Sequence, residues 1–124
     1  MKKVIATPDA PKAVGPYSQA IEVNGTLYIS GQIPVNPADG QVQTEIAAAA
    51  HQSLKNIGAI LAEAGMTYDN VVKTTVLLAD IADFKAVNEV YAEYFTGDKP
   101  ARACYQAAAL PLGVKVEIEA IAVR

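Results

Sequence analysis

The run Val71–Ala79 constrains this chain more than any other. It reads Val-Val-Lys-Thr-Thr-Val-Leu-Leu-Ala, rich in β-branched residues and apolar on both faces. Such a strand belongs in the middle of a sheet, with cover on both sides. Two helices are available to supply that cover. The first is expected from about Thr44 to Ala64, with Thr44 as N-cap and Gly65 just past its end. Its apolar stripe is Ile46, Ala50, Leu54, Ile57, Leu61 and Ala64. The second is expected from Ile81 to about Phe95, capped by Asp80, with Ile81, Phe84, Val87, Tyr91 and Tyr94 or Phe95 buried and Asn88 at the stripe's edge. His51 lies beside the first stripe and reads as a helix-surface or boundary residue, because no partner for it is evident.

The remaining segments read as strands. Lys3–Ala6 is short and is followed by a proline-rich loop. Tyr17–Val23 alternates, Asn24-Gly25 is a strong two-residue hairpin signal, and Thr26–Ser30 is the return strand. A loop follows over residues 34–41. Arg102–Ala108 and Val114–Val123 close the chain as two strands around a turn containing Pro111. The order β, ββ, α, β, α, ββ makes an α+β fold, with a mixed sheet of about six strands and two helices on one face. Two helices cannot cover both faces of that sheet. A second copy of the chain is the natural cover, which predicts a homo-oligomer with sites in the clefts between subunits.

A chain of 124 residues is large enough for one domain with a real core, so residues 1–124 are read as a single domain. It is 52% hydrophobic and 19% charged, apolar for its size, which again favours self-association. The net charge of −3 offers no basic footprint for nucleic acid. Lys2 and Lys3 precede an apolar run far too short for a signal peptide, and no run approaches a membrane span. One cysteine and one histidine make neither an internal disulfide nor a His/Cys metal cluster. A cytoplasmic protein without a metal is the expectation.

The glycines follow no phosphate-binding pattern, and no histidine is placed to activate a serine or cysteine. What remains is Arg102, the only internal arginine, in Pro100-Ala101-Arg102-Ala103-Cys104. Its planar fork either grips a carboxylate or phosphate, or forms an internal ion pair with one of the thirteen acids. Glu117 and Glu119 share one face of the last strand, opposite Val116, Ile118 and Ala120. The strand's apolar continuation requires at least one of them to be partly buried. A buried glutamate across a hairpin from Arg102 is either the arginine's partner or a base that activates water. Cys104 reads as a small buried apolar residue.

Five segments, taken together, resemble the Rid (YjgF-type) family over essentially the whole chain. They are Gly15-Pro16-Tyr17-Ser18-Gln19, Ser30-Gly31-Gln32-Ile33-Pro34, Val87-Asn88, Pro100–Cys104 and Val116–Ala122. Within the family they are most similar to the archetypal reactive intermediate, or imine, deaminases, because the arginine of the P-A-R-x-C motif is present. The resemblance implies a chorismate-mutase-like fold that trimerises through the open face of its sheet. It implies hydrolysis of 2-imino or enamine acids, such as 2-iminopropanoate and 2-iminobutanoate, to 2-keto acids and ammonia, without cofactor or metal.

Carried over by position, Arg102 clamps the substrate carboxylate and Glu117 orients or activates the attacking water. Backbone groups at Cys104 help to place substrate. Tyr17, Ser30, Gly31 and Asn88 complete the substrate-binding pocket, some from the neighbouring subunit. Two departures from the family pattern are Ala103, where serine is common, and a short turn over residues 96–100. A competing reading is a non-catalytic trimeric module that binds small 2-keto acids or other carboxylates. An RNA-cleaving role fits the acidic charge poorly.

Overall fold

A computed structural model describes residues 1–124. Six strands form one mixed sheet in the order β1-β2-β3-β6-β4-β5. They are β1 (Lys3–Ile5), β2 (Ala20–Val23), β3 (Thr26–Gln32), β4 (Val71–Leu78), β5 (Ala101–Gln106) and β6 (Val116–Val123), with helices α1 (Ile46–Glu63) and α2 (Phe84–Tyr94). Both helices pack on one face. The core lies between them and the sheet, where Leu27, Leu54, Ile57, Ile60, Leu61, Val76, Leu78, Val116 and Ile118 are wholly buried. The expected α+β architecture is therefore present, and β4 is central as its composition requires.

Three local expectations are corrected. Strand β2 begins at Ala20 rather than Tyr17, because the buried Gln19 side chain is taken up by the N-terminal loop. Its Nε2 donates to the carbonyls of Thr7, Ala10 and Pro11, and its Oε1 accepts from the Thr7 N–H at 2.7 Å. The N-cap of α1 is Glu45, not Thr44; its carboxylate accepts from the Ala47 and Ala48 N–H groups at 2.9 and 3.1 Å. Those bonds hold the Glu45 carboxyl below its ordinary pKa. Asp80 caps only a short 3-10 turn, Ile81–Asp83, and α2 proper starts at Phe84. Ile81 and Phe84 consequently fall outside the buried stripe, at 46% and 40% exposure.

The last two strands do not form a hairpin. Helix α2 carries the chain across so that β5 runs parallel to β4, with Thr74 opposite Arg102 and Val76 opposite Cys104. Strand β6 instead pairs antiparallel with both β3 and β4. Its helix-side residues Val116, Ile118, Ala120 and Ala122 are all buried, which suits it to the interior position rather than the edge.

The face away from the helices is bare. Val4, Tyr28, Val72, Tyr105 and Val123 are exposed large apolar residues among the six strands. His51 is a helix-surface residue but has partners: its Nδ1 lies 2.8 Å from the Tyr94 hydroxyl, and its Nε2 3.8 Å from Glu93.

Candidate active site

Arg102 points from the edge strand β5 toward α2. Its Cζ lies 4.9 Å from the centre of the Tyr91 ring and 5.5 Å from that of Phe84, and NH1 donates to Asn88 Oδ1 at 2.8 Å. Phe84, Asn88 and Tyr91 reach it together because positions i, i+4 and i+7 share one helix face. No acid is paired with it. The two ion pairs of the chain are Arg124 with Glu22, at 2.7 Å, and His51 with Glu93. The internal ion pair left open by the sequence is thus absent, and the half-buried guanidinium has most of its donors unused.

Cys104 stands two residues along the same face of β5 and packs against the core. Burial pushes its thiol pKa up, with Arg102 opposing the shift, so the thiol is a poor nucleophile. Burial also raises the Tyr91 phenol, whose hydroxyl is 2.7 Å from Thr74 Oγ1.

Glu117 projects from the opposite, bare face. There β3 carries a bulge: Ile29 pairs with Ala120 and Gln32 with Ile118, so Ser30 and Gly31 together stand opposite Glu119. The bulge brings Gly31 under the Glu117 carboxyl; a Cβ at position 31 would lie 2.8 Å from Glu117 Cδ. Burial first, and the Glu119 charge second, raise the Glu117 pKa above its ordinary value of 4.5. The Ser30 hydroxyl donates to the Ser18 carbonyl at 2.6 Å, while the Ser30 N–H donates to Gln19 O at 2.9 Å. Tyr17, half exposed, lines three open cavities, among them one of about 310 and one of about 540 Å³. The first of these two is shared with Gly31, Gln32 and Leu112, the second with Ser30, Lys73 and Glu119.

Residues 7–124 match a family model described as Endoribonuclease L-PSP. The chain belongs to this family, the Rid (YjgF-type) proteins. A human protein named 2-iminobutanoate/2-iminopropanoate deaminase is 57% identical over all of this chain and 91% of its own length. A protein of the same name from Escherichia coli K12 is 50% identical, over 100% of this chain and 99% of its own. Among solved structures, the YjgF gene product of E. coli superimposes with a TM-score of 0.96 at 49% identity, covering 98% of each chain.

In this Rid chain the expected site residues fall into two groups. Arg102, Asn88 and Cys104 gather on the helix side of the sheet, and Tyr17, Ser30, Gly31 and Glu117 on the bare side. The expectation that Arg102 and Glu117 meet across a hairpin is corrected, since β4 lies between their strands and their side chains diverge. Phe84, Tyr91 and Thr74 are neighbours of Arg102 that no motif in the sequence marks. The i, i+4, i+7 spacing of Phe84, Asn88 and Tyr91 was the available signal. No three His, Cys, Asp or Glu side chains gather to hold a metal.

Proposed function

We propose that this chain is a cofactor-independent deaminase that hydrolyses 2-imino and enamine acids, such as 2-iminopropanoate and 2-iminobutanoate, to 2-keto acids and ammonia. The observation that carries this is Arg102, a half-buried guanidinium held by Asn88 with no acid to neutralise it. In a family whose close relatives are named for that activity, it is the group suited to a substrate carboxylate. Arg102 fixes the carboxylate through its fork, and the adjacent iminium carbon is already electrophilic. Glu117 holds a water for addition to that carbon, taking a proton as the tetrahedral carbinolamine forms. Glu117 returns that proton to the nitrogen, the C–N bond breaks as the keto group forms, and the departing ammonia takes the hydroxyl proton to become ammonium. Iminium and water supply every atom of keto acid and ammonium. The site contributes orientation and electrostatics rather than a strong nucleophile. Tyr17, Ser30, Gly31 and backbone groups at Cys104 line the pocket.

Because Arg102 and Glu117 diverge within one chain, a working site takes the two groups from adjacent copies. That asks for more than one copy, and the resemblance to the Rid family gives the number: we read the protein as a homotrimer of single-domain chains, residues 1–124, joined through the bare sheet face. Val4, Tyr28, Val72, Tyr105 and Val123 supply apolar surface for that contact. No helix is long and apolar enough to cross a membrane; a cytoplasmic location is our reading from the lone cysteine of the chain.

The test is keto-acid release from a pyridoxal-phosphate-dependent threonine dehydratase reaction. The protein accelerates release of 2-oxobutanoate, and Arg102→Ala abolishes the acceleration. Full activity in Arg102→Ala would remove Arg102 from the site. A solved structure of E. coli TdcF, 43% identical with a TM-score of 0.96, is described as holding bound serine. Carboxylate binding of that kind is common to the deaminase and to a second reading, a module that binds small carboxylates without catalysis, which binding of 2-oxobutanoate without acceleration would support. The net charge of −3 gives no support to RNA cleavage.

A further inference from the structure

Phe84 is placed oddly for a residue on the second helix's apolar stripe. It is 40% exposed, although its spacing from Val87 and Tyr91 suits the core. Its ring lies within cation–π range of Arg102, at 5.5 Å from Cζ. Tyr91 provides a second ring at 4.9 Å and is itself anchored, its hydroxyl 2.7 Å from Thr74 Oγ1 and its ring 4.5 Å from that of Phe95. Thr74 is the β4 residue opposite Arg102 in the parallel register. Strand β5, strand β4 and helix α2 are thereby tied in a closed circuit around one guanidinium.

We infer that Phe84 and Tyr91 are positioning residues that hold the Arg102 guanidinium with its charge unspent, ready for an anionic substrate. The inference rests on the reading of Arg102 as carboxylate anchor and adds how that anchor is kept in place. A carboxylate partner would orient the fork equally well, but it would neutralise the charge and occupy the donors. Aromatic faces attract the cation through their quadrupoles and take none of its N–H groups. Asn88 then fixes NH1 through one neutral acceptor, leaving the other donors free. A lysine would offer neither the planar face nor the fork. Tyr91 stays neutral in this role, because burial raises its phenol pKa.

The experiment compares wild type, Phe84→Leu and Phe84→Tyr, using 2-oxobutanoate as the binding probe and steady-state kinetics on the dehydratase-generated imino acid. Phe84→Leu weakens 2-oxobutanoate binding and raises KM by about threefold to tenfold, with a smaller change in kcat. Phe84→Tyr, which keeps the ring, restores both to near the wild-type values. The melting temperature of Phe84→Leu stays close to wild type, since the side chain is substantially exposed. Unchanged Kd and KM in Phe84→Leu overturn the inference while leaving the anchor reading intact. Equal losses in Phe84→Leu and Phe84→Tyr overturn it as well, because they would report packing rather than the ring. A wild-type protein that binds no 2-oxobutanoate and releases no extra keto acid defeats the anchor reading and this inference with it.

Discussion

Arg102 and Glu117 lie on opposite faces of one sheet, two strands apart, the first turned toward α2 and the second toward the face the helices leave bare. Two inactive variants should therefore rescue each other when mixed. In oligomers re-formed from Arg102→Ala and Glu117→Gln chains, about a quarter of the sites recover both native groups by random pairing. Keto-acid release from the re-formed mixture, and none from either variant alone, is the expected result. A mixture as inactive as its parts, with mixed oligomers verified by mass, would place both groups in one chain's site.

Glu117 costs the fold stability when it is ionised. Its folded-state pKa is raised above 4.5 by burial and by Glu119, so its ionisation opposes folding. The stability it permits is fully present below pH 4.5 and is lost as pH rises through the elevated folded value. Glu117→Gln removes that loss. The variant should melt at a higher temperature than wild type at neutral pH, converge with it toward acidic pH, and lose roughly 10²–10⁴ in rate. Thermal melts across pH, beside the kinetic assay, check both halves.

Gly31 is required by contact, not by backbone conformation, since its φ is not in the left-handed region. Gly31→Ala places a methyl group against the Glu117 carboxyl. We expect a small loss in stability, since the carboxyl is the end of a flexible side chain that can move, and a fall in rate as it is displaced. Chemical denaturation and a structure of the variant would show whether Glu117 has moved.

Gln19 organises the N-terminal loop through one accepted and three donated hydrogen bonds, and it directly precedes β2. Gln19→Ala strands backbone groups of Thr7, Ala10 and Pro11 and should cost about 2–3 kcal/mol. Faster proteolysis within residues 7–18 is the expected signature.

Much of the architecture was legible because its signals are local or periodic. Asn24-Gly25 does form the β2–β3 turn, with Asn24 at φ 51° and Gly25 at φ 78°. Gly65, at φ 73°, lies just past the end of α1. The alternation in β6 puts Glu117 and Glu119 on the face opposite Val116 and Ile118, as expected. The misplaced elements have a different origin. Phe84 and Ile81 fit a helical stripe by spacing, but a 3-10 turn shifts the start of α2. Gln19 fits an alternating strand, but the amide has backbone partners eight to twelve residues away.

The sequence by itself determined which residues have chemistry to offer: a lone internal arginine, paired glutamates on one strand face, and a cysteine with nothing to activate it. These follow from residue type and from periods of two and of about four. Only the tertiary structure decided that Arg102 has no acid partner, that β4 separates it from Glu117, and that two rings of α2 lie against its guanidinium. Strand order depends on which apolar faces compete best for the sheet's interior. The environment of a charge depends on what the crossing helix brings over it, and neither is written in the spacing of residues along the chain.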